Sequence, residues 1–178
     1  MTPRPADRPR NLGALSAKGL LRRQFRLAHA LLDDAIDRLP LEAIHRCPSG
    51  SDVSPGVCYA QFVLCEDLSV NGVLRAGKPL ALSTWAGRTG LSEIPPFVGT
   101  IDWRAWAHRV RLDRNNVRAY ARAVYASTDA YIAALAEGAL DPKCVETPVC
   151  VLNALLLSVS MRRGEIASLL AASYGPRA

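Results

Sequence analysis

Two dipeptides, Ser54-Pro55 and Thr147-Pro148, do most to limit what this chain can fold into. A serine or threonine oxygen accepts a hydrogen bond from an orphaned N–H in the first turn of a helix. A proline directly after it brings a φ already set for the helix and gives up an N–H that has no partner there. Each pair heads a long apolar-rich run, so each marks a helix start. The stops are equally clear: Pro40, Gly77 with Pro79, Gly138, and Gly175-Pro176.

Within the four stretches so marked, apolar residues recur at helical spacing. The first, Ser16 to Leu39, carries Leu20, Leu21, Leu27, Leu31, Leu32, Ile36 and Leu39. Leu41 to Ser51 then reads as a short connection. The second runs from Ser54 to Gly77 with Val57, Gln61, Leu64, Leu68, Asn71 and Arg75 on one stripe. Leu80 to Thr100 is a long connection rich in Gly, Ser, Thr and Pro, and Pro95-Pro96 forbids regular helix there. The third starts at Asp102 as cap and continues to about Glu137; the fourth runs from Thr147 to about Ala172. No strand-like alternation competes. The expected architecture is all-α: a four-helix bundle over residues 15–175, with a long crossover between the second and third helices. Residues 1–14, rich in Pro and Arg, are expected to form a disordered basic arm.

Composition narrows the partners. The 178 residues suit one domain, and 49% apolar with 6% aromatic content predicts an aliphatic core. The longest apolar run, Val149 to Val159, is interrupted by Asn153 and Ser158 and falls short of the ~20 residues that span a bilayer, so no membrane partner is expected. No hydrophobic segment follows the charged N-terminus, which predicts a cytoplasmic protein. The five cysteines form no CxxC pair and are expected as reduced thiols. A net charge of +6, with six arginines among the first 26 residues, would let the arm touch phosphates non-specifically. No zinc-finger spacing, stacking-aromatic motif or helix-turn-helix accompanies it, so nucleic acid is not expected as a partner.

Polar residues break two stripes that should be buried. On the fourth helix, Ser158, Arg162 and Glu165 continue the series Val151, Leu155 and lead on to Leu169. On the second, Gln61 stands on a comparable face, with Glu66 and Asp67 just over a turn further on. A buried arginine needs a carboxylate or an anionic ligand to meet its charge. Glu66, Asp67 and Glu165 are the available carboxylates. Periodicity alone supports a solvated face equally well, with Arg162 and Glu165 as a surface i, i+3 pair. Asp33, Asp34 and Asp37 read as a solvated face beside Arg26 and Arg38, and His29 as a surface or core histidine.

The segments YAQFVLCED (Tyr59 to Asp67) and LLLSVSMRRGEI (Leu155 to Ile166), within this layout, resemble the DinB/YfiT-like superfamily, as does Ile44-His45-Arg46-Cys47-Pro48. Members of that superfamily typically hold a divalent metal with one histidine on the second helix and an HxxxH pair on the fourth. Aligned on Gly164-Glu165-Ile166 and on Glu66-Asp67, those three places fall on Gln61, Ser158 and Arg162. Serine and glutamine are poor ligands for such an ion and arginine repels it, so no metal and no cofactor are expected. His29, His45 and His108 offer no substitute spacing.

The resemblance with its ligands exchanged implies a metal-independent pocket for an anionic or polar small molecule. Arg162, with Gln61 and Ser158 as hydrogen-bond donors, would hold a carboxylate, enolate or phenolate, or stabilise a developing oxyanion. Glu66 or Glu165 would serve as general base, with Tyr59 and Cys65 lining the site and Trp85 closing over it. The reaction expected is that of a cofactor-free isomerase, cyclase or lyase, and the superfamily's habits suggest secondary metabolism. Two alternatives stay open. One is a thiol-dependent transferase or isomerase of the DinB type, with Cys58 or Cys65 as nucleophile. The other is a non-catalytic dimeric interaction module, with Arg162 neutralised internally and Trp103 and Trp106 at the homodimer contact.

Overall fold

The computed structural model describes residues 16–48, 51–95, 102–136, 139 and 148–174; of residues 148–174, the side chains of 149, 159, 160, 162, 163, 165 and 169–174 lie outside the description. The expected basic arm also lies outside it. The described residues are all-α, with one isolated bridge between Leu91 and Leu112 and no strand. Long helices α1 (Ala17–Asp37), α3 (Pro55–Asp67), α5 (Arg114–Ala134) and α6 (Pro148–Tyr174) are joined by short helices α2 (Leu41–Ile44) and α4 (Trp103–Arg109). Their starts follow the cap chemistry. Ser16 Oγ accepts from Gly19 N at 3.1 Å, Ser54 Oγ from Val57 N at 3.4 Å, and Asp102 Oδ1 from Ala105 N at 2.9 Å. Pro55 and Pro148 each open their helix.

α1 packs on α5 and α6, and α3 packs on the same two. Polar contacts lace the α1–α5 seam along its length and fix its direction. Lys18 Nζ donates to Leu135 O at one end, Arg114 Nη1 to Leu39 O at the other, and Arg22 and Arg26 both grip Asp129 between them. The two helices are therefore antiparallel. So are α1 and α3, where His29 meets Glu66 and Asp33 meets Tyr59. It follows that α3 and α5 run parallel, and a chain placing consecutive long helices in parallel must return along their length. That is the work of the crossover. Its start is pinned to α3: Asp67 Oδ1 accepts from Leu80 N and Oδ2 from Ala81 N, both at 2.8 Å. By Gly90 it has reached the head of α5, where Gly90 O accepts from Asp113 N at 2.7 Å. Gly90 has φ +80°, and a Cβ there would lie 2.4 Å from Val117 N, so only glycine fits.

Leu32, Ile36, Tyr59, Phe62, Leu64, Tyr120, Val124 and Ile166 form the centre of the main core. Each fully buried side chain of this size contributes about 1.5–3 kcal/mol relative to exposure. Three features depart from expectation. The third helical stretch is two helices, because Val110 is extended (ψ 141°) and Asp113 caps a fresh start by accepting from Asn116 N at 2.8 Å. The second ends α-helical geometry at Asp67 and continues as a π-helix, Leu68–Leu74, with Arg75 N donating to Val70 O. Trp106, expected at a subunit contact, is 2% exposed and donates its indole N–H to Glu93 O at 3.2 Å; it belongs to the core.

Candidate functional site

Between Gly56 and Asp67 every residue of α3 is buried except Gln61 and Cys65, which are half-buried. Tyr59 and Glu66, seven apart, share one side of the helix and face α1 and α5. Glu66 is fully buried and both its oxygens are taken: His29 Nε2 lies 2.9 Å from Oε2, and Thr128 Oγ1 donates to Oε1 at 2.5 Å. Tyr59 donates to Asp33 Oδ1 at 2.8 Å. Five positions separate Gln61 from Glu66, about 140° round the helix, so the two side chains leave α3 on different sides. Gln61 and Cys65 are half-buried on α3, and Ser158 is half-buried on α6, which packs on α3.

The expected site therefore divides. Gln61 and Cys65 leave α3 away from Glu66, and Ser158 stands on α6. Glu66 and Tyr59 belong to a polar layer among α1, α3 and α5. Trp85, half-buried, rests its ring 6.0 Å from that of Tyr120 on α5, with the Arg88 guanidinium 5.8 Å from its centre, so its contacts are with α5. Arg162 and Glu165 stand on α6, one and nearly two turns after Ser158, and their side chains lie outside the described residues. Gln61 and Ser158 offer only neutral oxygens, poor ligands for a divalent transition metal, and the carboxylate of Glu66 is committed to His29 and Thr128. Among the described residues no three His, Cys, Asp or Glu side chains gather as a metal-holding group.

The polar layer contains residues that sequence reasoning set aside. His29 is 6% exposed and stacks on Tyr125, ring centres 3.6 Å apart and 8° from parallel. Asp33 is not part of a solvated face: it receives Tyr59 and the Arg118 guanidinium (3.1 Å), and the Tyr125 hydroxyl lies 3.5 Å away. Burial raises its carboxyl above the ordinary value, against the lowering pull of Tyr59 and Arg118. Burial also drives Tyr59, Tyr125 and Tyr120 well above the usual phenol range, so all three remain O–H donors. Tyr120 donates to Asp67 Oδ2 at 2.7 Å, and Asn71 Nδ2 to Oδ1 at 2.8 Å. Asp34 and Asp37 do lie at the surface, beside Arg38 and Arg118.

A cleft of about 370 Å³ opens between α1 and α5 above this layer, and His29, Asp33, Tyr125 and Asp129 all line it. Asp129 is held well below the ordinary carboxylate range, first by the Arg22 hydrogen bonds and then by those of Arg26. The signal for this site was in the sequence. His29 and Asp33 are i, i+4 on α1, Tyr59 and Glu66 are i, i+7 on α3, and Tyr125 and Thr128 are i, i+3 on α5. Each pair shares a face.

No protein-family model matches the chain, and no curated protein matches it. A solved structure does: the crystal structure of a conserved protein from Enterococcus faecalis superposes with a TM-score of 0.76 at 17% identity, covering 92% of this chain and 100% of that one. At that identity the likeness establishes a shared helical fold. No described helix is long and apolar enough to cross a membrane.

Proposed function

We propose that this chain is a DinB-like four-helix bundle that acts without a metal and binds an anionic or polar small molecule between α3 and α6. One observation carries the reading: on an otherwise buried helix, Gln61 and Cys65 are left half-buried, Gln61 turned about 140° from Glu66, and α6, where Ser158 is half-buried, packs on the same helix. Arg162, four residues after Ser158, brings a cation to the place where the superfamily carries metal charge. Glutamine, serine and arginine together donate to a carboxylate or enolate. With Glu66 tied to His29 and Thr128, Glu165 is the remaining base for a cofactor-free isomerase, cyclase or lyase. A dimerising module is the second reading, favoured by Leu157 and Met161, which lie one turn apart on α6 at 64% and 66% exposure.

The test restores what the sequence lost. Combined Gln61→His, Ser158→His and Arg162→His should bind one zinc or nickel ion tightly by calorimetry, while the parent chain binds none at equal concentration. A triple variant that folds by circular dichroism yet takes up no metal would sink the DinB-like register. In parallel, benzoate should shift parent-chain NMR resonances on α3 and α6, and Arg162→Met should abolish that response. A parent chain that ignores benzoate and runs at twice its mass in light scattering would instead support the dimerising module.

A further inference from the structure

We infer that the α1–α5 cleft is a second binding site, which takes a neutral hydroxyl compound with an apolar ring, a phenol, on the Nδ1 atom of His29. This site is lined by α1 and α5 alone and does not depend on the reading of Gln61.

The imidazole is the centre of the case. His29 is 94% buried by its 6% exposure, lines the cleft, and has one nitrogen, Nε2, engaged with the Glu66 carboxylate at 2.9 Å. Nδ1 has no partner among the described residues. Which ring nitrogen carries the proton is set by the bond the other nitrogen makes. Glu66 accepts from Thr128 on one oxygen and from Nε2–H on the other, so in the neutral ring Nδ1 keeps its lone pair. Because His29 lines the cleft, a lone pair on this held ring is available to a donor that enters there. Stacking on Tyr125 and tilted contact with Phe25 (5.6 Å) hold the ring plane in place.

The walls select the rest of the ligand. Asp129 is neutralised by Arg22 and Arg26, and Asp33 by Arg118 and Tyr59, so neither carboxylate calls for a cation. Nor is there an unpaired cation to call for an anion: Arg26, the basic group that lines the cleft, is spent on Asp129. The remaining lining is apolar, from Phe25, Ala30, Ala126 and the Tyr125 ring. A volume near 370 Å³ admits a single substituted ring. One acceptor, paired charges and an apolar lining together describe a neutral aromatic alcohol. In the bound state its O–H donates to Nδ1 while Nε2–H stays on Glu66.

The experiment uses the full chain and three probes of one shape: phenol, anisole and toluene, followed by NMR on the Ala30 and Ala126 methyls and on the His29 ring nitrogens. Saturable shifts at both methyls are expected from phenol, with affinity about fivefold to tenfold above that of anisole or toluene, the size of one hydrogen bond. The free protein should show an Nε2-protonated ring with Nδ1 bare. Glu66→Gln, whose amide donates to Nε2, should move the proton to Nδ1 and erase the preference for phenol over anisole. Should that variant not fold, the three-probe ranking and the ring protonation in the parent chain decide alone. Equal binding of phenol and toluene, a protonated Nδ1 in the free protein, or shifts confined to other residues would overturn the inference.

Discussion

The two seams of this molecule hold by different means. Along α1–α5 the contacts are polar and directional, from Lys18 at one end through the doubly gripped Asp129 to Arg114 at the other, with the buried Glu66 layer beneath. Along α6 the buried side chains among the described residues are apolar, namely Leu152, Leu155 and Ile166. Directional bonds set the register of two helices and punish any shift, because each buried group left without its partner costs its full desolvation. Apolar packing sets a volume and forgives substitution of similar size. The first seam is thus the fixed frame. The second is where side chains can change without unfolding the protein.

The contrast is easiest to break at Glu66. Glu66→Ala leaves His29 and Thr128 unpaired in the interior and should cost about 3–5 kcal/mol in urea denaturation. A loss below about 1 kcal/mol would mean that the layer is not a frame. A smaller effect is expected at Asp129, whose folded carboxyl is held below its ordinary value by Arg22 and Arg26. A depressed carboxyl stabilises the folded state above its unfolded pKa and loses that contribution as pH falls through the folded value. Acid unfolding of Asp129→Asn should accordingly be less steep below about pH 4 than that of the parent, with a difference near pH 7 no greater than about 1 kcal/mol because the pair is exposed. Asp33 shifts the opposite way, so its contribution falls as pH rises from the unfolded carboxyl value. Smallest of all, Gln61→Leu should stay within about 0.5 kcal/mol of the parent, in either direction, by the same denaturation. A cost comparable to that of Glu66→Ala would erase the distinction between the seams.

What could be read in the sequence followed from how local its cause is. Caps act within four residues, so Ser16, Ser54, Asp102 and the proline that opens α6 announced their helices. The break before α5 had an equally local signal in Asp113, but the apolar series Trp103, Trp106, Val110, Val117, Tyr120 ran through it and suggested one helix. The π turn after Asp67 has no comparable local mark; it accompanies the bonds from Asn71, Leu80, Ala81 and Tyr120 to that carboxylate, three of them from outside the turn. The polar layer was hidden for a similar reason. A lone histidine on an apolar helix says little until Glu66, 37 residues on, is brought to its Nε2. The superfamily comparison directed attention to Gln61, Ser158 and Arg162. Glu66 stood beside Gln61 by nearness in sequence, and about 140° of helix turn separates the two.

The Asp67 carboxylate also bears on how this fold tolerates changes of length. Connections between helices are where related chains usually gain and lose residues. Here the first residues of the crossover present Leu80 N and Ala81 N to two different oxygens of one buried carboxylate, and ten residues on it threads Gly90 against the backbone of Val117. Slipping either contact by one residue would put the wrong donor, or a side chain, where none fits. Growth is left to the stretch between them, Leu82 to Arg88, where Leu82, Ser83, Thr84, Ala86, Gly87 and Arg88 are all exposed.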